Sequence, residues 1–154
     1  MALKHIAAVA LLAATAPAAQ AATPFYLGAW RVESAVVAPW ADLARPLDPA
    51  EHRALVGRLV TVTPTRITGP GTLACRAAHP ALSDSTADML FQGELGEPQS
   101  ANPKRSAQAM AEALGFVGHS WKTMDTGCDL DWHFADRTTA KIGLNDYVYT
   151  LKKP

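Results

Sequence analysis

The chain has 154 residues, with 14 basic and 14 acidic side chains and a formal net charge of zero. Such a length supports one domain with a single core. Zero net charge excludes a general nucleic-acid or membrane-surface binder, which needs a basic excess, and at 49% hydrophobic and 18% charged residues the chain is not a disordered tail.

The first elements belong to a leader. Lys4 and His5 give a short basic start, and Ile6 to Ala16 form an apolar run that Pro17 ends. Ala19-Gln20-Ala21 then places small residues at −3 and −1 of a cut before Ala22. This is the layout of a cleavable secretory signal, with an apolar run far shorter than the ~20 residues of a membrane span. Residues 1–21 are therefore expected to be removed, with cleavage after Ala21. That leaves 22–154 as a single β-rich domain, periplasmic or secreted. No cysteine lies near the cut, so no stable membrane anchor is expected. In an oxidising compartment the two cysteines, Cys75 and Cys128, are expected to form one disulfide. It would close a loop of about 50 residues, worth roughly 3–4 kcal/mol.

Gly28-Ala29-Trp30 opens a Val-rich stretch to Ala38 that predicts the first strand, closed by Pro39. Asp48-Pro49-Ala50-Glu51 predicts a helix start: Asp48 caps, Pro49 takes the first position and Glu51 reaches back in a capping box. Gly57 ends this short helix. Leu59 to Thr63 and Arg66 to Thr68 predict strands about Pro64, and Leu73-Ala74-Cys75 another short one. Residues 76–88 lack a clean period and are expected to be a loop, and Met89 to Gly93 a strand edge. The Pro- and Gly-rich segment 93–103 is expected to be a linker within the domain. Asn102-Pro103 repeats the cap-then-proline signal ahead of Ala107, Met110, Ala111 and Leu114, predicting a helix stopped at Gly115.

A strand is expected over 117–124. In the next, Leu130, Trp132 and Phe134 alternate with Asp129, Asp131 and His133, the period of a half-buried strand. Asp136-Arg137 makes a turn, Thr138 to Leu144 a strand, Asn145-Asp146 a turn, and Tyr147 to Leu151 the last strand. This is an antiparallel meander with no βαβ alternation. The predicted class is mainly β with minor α: a small antiparallel β-barrel or strongly curved sheet with one or two short helices.

Gly28-Ala29-Trp30, placed early and leading into the first strand, resembles the Gly-x-Trp signature of lipocalin-like barrels. The resemblance implies an antiparallel barrel whose Trp closes one end and packs near a basic residue from the last strand. Lys152 or Lys153 stands where that residue would be. The chain departs from the pattern in its shorter length and in a helix that precedes the last strands.

Candidate site residues fall in two groups. Trp40, at a strand end after Pro39, and Trp121, between polar residues, are the candidate surface aromatics for ligand contact. Asp131 and His133 on one strand face, joined by His119 from a neighbouring strand, are the candidate Zn²⁺ or Cu²⁺ ligands, with Met124 as a soft ligand for copper or haem iron. The bland reading is the polar face of an exposed strand and a core Met. His119-Ser120 with nearby aspartates has the residue types of a nucleophilic triad, but no Gly-x-Ser-x-Gly elbow, phosphate-cradling loop or His-Glu-x-x-His pair occurs. The favoured reading is an exported binding protein, monomeric or weakly dimeric. It would hold a small apolar ligand in a barrel mouth or an envelope protein on a loop face, without evident catalytic machinery and with no required cofactor. A metal- or haem-handling protein, or a hydrolase inhibitor presenting 76–88 or 93–103, is the alternative.

Overall fold

A computed structural model describes residues 22–96 and 105–154. The predicted leader and the Asn102-Pro103 helix start lie outside the described residues.

Among the described residues eight strands form one curled antiparallel sheet. They are β1 (Gly28–Val37), β2 (Leu59–Val62), β3 (Ile67–Thr68), β4 (Ala81–Ser85), β5 (Trp121–Asp125), β6 (Asp131–Phe134), β7 (Thr139–Leu144) and β8 (Tyr147–Lys152). Their order is β3-β2-β1-β8-β7-β6-β5-β4. Consecutive strands pair throughout except β3 with β4, and β1 pairs with β8, so the sheet is barrel-like with one open seam. The first strand and β6–β8 fall where they are expected, whereas β5 begins at Trp121 and not at residue 117, residues 117–120 forming a bend ahead of it.

The connector between β3 and β4 spans the seam. Ile67 and Cys75 exchange two backbone hydrogen bonds of 2.8 Å, and Ala78 N–H donates to Thr65 O. His79 N–H donates to Thr126 O, on the far side, at 2.9 Å. The disulfide Cys75–Cys128 ties the same connector to the β5–β6 turn, with Cα atoms 6.1 Å apart. It fits an extracellular or periplasmic protein. No helix among the described residues is long and apolar enough to cross a membrane.

Strand alternation sends side chains to two faces, and around β6 and β8 both are covered. One carries the larger cluster, built on Trp30, Val32, Val60, Trp132, Phe134, Ile142, Tyr149 and Leu151. Trp30 and Trp132 meet edge to face at 5.7 Å. Lys153 closes this end, with its ammonium 5.2 Å from the Trp30 ring and donating to Leu27 O. On the other face Leu90, Phe91 and Leu95 pack with Met110, Ala111 and Leu114 over Val148 and Trp121. Half-burial of β6 is thus corrected: Trp132 and Phe134 fill one face, while His133, 1% exposed, is buried on the other.

Helix α1 (Pro49–Leu55) begins as read, with Asp48 Oδ1 accepting from Ala50 N–H at 2.8 Å and Pro49 in the first turn. Glu51 does not complete a capping box; it reaches across to β8 instead. Helix α2 (Ala107–Ala113) is capped by Ser106, whose hydroxyl accepts from Ala109 N–H. Three further expectations are corrected. Residues 76–88 contain β4, an edge strand exposed at all but Ser85, so burial imposes no period on it. Leu73–Cys75 forms a 3-10 turn over Gly71–Leu73 and a single bridge. Met89–Gly93 is no strand edge; it lies in a 3-10 segment, Ala87–Gly93, kinked at Leu90–Gln92.

Candidate functional site

The kinked segment forms one wall of a cleft. Phe91 (φ 53°, ψ 46°) and Gln92 (φ 59°, ψ 29°) are successive non-glycine residues in the left-handed region, each costing about 1–3 kcal/mol that its surroundings must offset. His133 supplies the hold. Phe91 N–H donates to His133 Nε2 at 2.9 Å. That nitrogen therefore carries the lone pair, and the proton sits on Nδ1, which donates to Thr123 Oγ1 at 2.9 Å. Burial pushes the imidazole pKa down from 6.5 to about 4, so the ring is neutral near pH 7. Gln92 adds a bond from Nε2 to Asp129 O at 2.9 Å.

This conformation brings the Phe91 ring beside Trp40, with centroids 5.1 Å apart. Both rings lie over Gly143 of β7. A Cβ there would stand 3.0 Å from Phe91 Cδ1 and 3.1 Å from the Trp40 ring, so a side chain would displace the pair. Trp40 is fixed from its other edge, its indole N–H donating to Asn145 O in the β7–β8 turn at 3.0 Å. The opposite wall comes from the start of α1. Glu51 accepts from Asn145 Nδ2 at 2.6 Å and from Tyr149 Oη at 3.0 Å. The Tyr149 phenol pKa is raised, first by burial and then by this carboxylate.

Between these walls lies a cavity of about 520 Å³. Trp40, Phe91 and Tyr147 give it aromatic surface, and five carboxylates reach it: Asp48, Glu51, Glu94, Asp131 and Asp146. Among the described residues Arg45 is the one guanidinium on its wall, bonded to Asp42 at 3.1 Å. Asp131, half-buried, lines the cleft two residues before His133 on β6. Its pKa is raised by burial and by Asp125, which faces it across the β5–β6 pair.

The sequence-predicted site residues therefore separate. Trp40 lines the cleft, half-buried. Trp121 does not reach a surface: it is 5% exposed, packs on Phe116 at 5.2 Å and donates to Val117 O. Its polar neighbours Ser120 and Lys122 misled because successive strand residues point to opposite faces. The metal trio is not assembled. His119 is exposed ahead of β5, and both nitrogens of His133 are occupied. Among the described residues no group of three His, Cys, Asp or Glu side chains is placed to hold a metal ion. Met124 is fully buried in the larger cluster. Sequence reasoning missed Phe91, Gln92, Gly143 and Glu51 as site-forming residues. A Gly inside a strand signals close approach of a neighbour, but nothing local names Trp40 and Phe91 as that neighbour. Comparisons with protein-family models, curated proteins and solved structures found no match.

Proposed function

We propose that this chain is an exported binding protein of lipocalin-like type that holds a small molecule in the cleft at the β7–β8 end of its sheet. The observation that carries the reading is the aromatic wall over Gly143: Phe91 is held there through its own left-handed backbone and the buried His133, and Trp40 by its bond to Asn145 O. Left-handed backbone at bulky residues persists only where its surroundings over-determine it, and it concentrates at ligand sites. The cavity, about 520 Å³, falls in the usual range of small-molecule pockets. Its mixed wall favours a ligand with both an apolar and a polar side over a purely apolar one. The lipocalin likeness draws support from the strand order and from Lys153 over Trp30, and export from the disulfide together with the Ala19-Gln20-Ala21 pattern.

Native mass spectrometry of the protein purified from its own exported fraction tests the reading. The expected result is an added mass that leaves on denaturation and is lost from a Trp40→Ala variant with unchanged circular dichroism. An added mass retained by that variant would move the site elsewhere, and a bare native mass in the wild type would remove the reading.

A further inference from the structure

The cleft has a chemical bias that goes beyond its being a binding site. Three aromatic rings share its wall with five carboxylates, although the whole chain carries no net charge. The acidity is therefore local to the cleft. Among the described residues little on its wall offsets it: the Arg45 guanidinium is paired with Asp42 and the His133 imidazole is neutral in its two hydrogen bonds. Two of the carboxylates have structural work, Asp48 capping α1 and Glu51 holding Asn145 and Tyr149. Asp131 and Asp146, both half-buried, have no side-chain hydrogen-bond or ion-pair partner among the described residues. A half-buried carboxylate without a partner is costly in the empty protein, and a bound cation removes that cost.

We infer that the cleft selects a small organic cation, an amine or quaternary ammonium carrying an aromatic or aliphatic group. Asp131 and Asp146 face the charge, and the Trp40–Phe91 wall takes the apolar part. The inference rests on the cleft being the binding site. Aromatic faces attract organic cations through the ring quadrupole, and this separates the proposed ligand from a metal ion, for which no ligand trio exists among the described residues.

Three probes that share a phenyl group and differ in charge decide it: phenethylammonium, 2-phenylethanol and phenylacetate. Each is titrated into the full mature protein by calorimetry at low salt, with the Trp40 indole N–H resonance followed by NMR. The expected order is cation over alcohol by about tenfold, with phenylacetate weakest and the Trp40 resonance shifting. Asp131→Asn together with Asp146→Asn should bring cation and alcohol to equal affinity. Retention of the alcohol's affinity in that variant shows that it is folded with an intact cleft. Equal binding of all three probes to the wild type, with the Trp40 shift intact, would overturn charge selection and leave the cleft as the site. Failure of all three to bind or to shift Trp40 would overturn the cleft reading and this inference with it.

Discussion

His133 is the residue on which the candidate site turns, because it is buried, neutral and bonded at both nitrogens. Protonation would turn Nε2 into a second donor facing the Phe91 N–H, with no room for water to intervene. In the unfolded chain the imidazole titrates near 6.5, and in the folded protein it titrates near 4. Between these values the unfolded state binds more protons, so stability rises with pH across the window and falls as pH drops from 6.5 toward 4. The full difference amounts to about 3 kcal/mol, at 1.36 kcal/mol per pKa unit. Above 6.5 neither state is protonated at this site, and below 4 both are, so the dependence vanishes at each end. Urea denaturation midpoints between pH 7 and pH 4 measure it. His133→Gln is expected to be less stable at pH 7 yet to lose most of the slope. A variant slope equal to the wild type's would show that other groups carry the dependence. Because His133 packs edge to face on Phe91 at 4.8 Å, acid should also disorder the Trp40–Phe91 wall before the larger cluster on the opposite face, and the Trp40 indole resonance would report it.

Among the elements, α1 has one carboxylate, Glu51, that ties it by hydrogen bonds to β8 and to the β7–β8 turn. A seven-residue helix is too short to persist alone, and Leu55 is its one fully buried side chain. Glu51 contributes the polar tie, accepting from the Tyr149 phenol of β8 and the Asn145 amide of the β7–β8 turn. A double-mutant cycle on Glu51→Ala and Tyr149→Phe is expected to give a coupling of about 1–2 kcal/mol, as for a partly buried hydrogen bond to a charged group. A coupling near zero would leave the attachment to Leu55 packing, the His52 ring against Tyr147 at 5.6 Å and the Gly57 N–H bond to Val32 O. This tie also marks how far sequence carries. The cap at Asp48-Pro49 was legible because its partner, Ala50, lies two residues away. Glu51 read as half of a capping box because its true partners are about a hundred residues distant, and no local pattern distinguishes the two roles. The meander from β5 to β8 was legible for the same local reason, since each turn and each alternation is written within ten residues. Edge strand β4 was not, because exposure leaves its side chains free of any period. Trp40 was picked out as a strand-end aromatic, but the wall it forms with Phe91 needed two consecutive left-handed residues, which Phe-Gln does not announce. The predicted metal face failed because β6 is covered on both sides, a property of the segment packed above it.

At the scale of the whole molecule, the open seam between β3 and β4 is where the sheet depends on something other than strand pairing. Every other neighbour is joined by a ladder, whereas this junction rests on the connector's few backbone bonds and on Cys75–Cys128. Closing a 53-residue separation lowers the entropy of the unfolded chain enough to contribute about 4 kcal/mol in the chain-entropy model. A Cys75→Ala, Cys128→Ala variant is therefore expected to lose stability of that order while the β7–β8 ladder and the cleft persist. Hydrogen exchange separates the two parts of the effect. If the bridge acts only on the unfolded chain, all protected amides lose protection by one common factor. If it also holds the seam, the amides of Cys75, Ala78 and His79, whose bonds span it, lose protection first and by a larger factor than those of Ile142 or Tyr149. The second pattern is expected, because β3 is only two residues long and one bridge beside it cannot close the sheet unaided. Cys128 is exposed on the turn after β5, so mild reductant should reproduce the double variant's exchange pattern in the folded protein. A ligand bound at the β7–β8 end contacts none of the seam, so in excess it should raise the global unfolding free energy while leaving local seam opening unchanged.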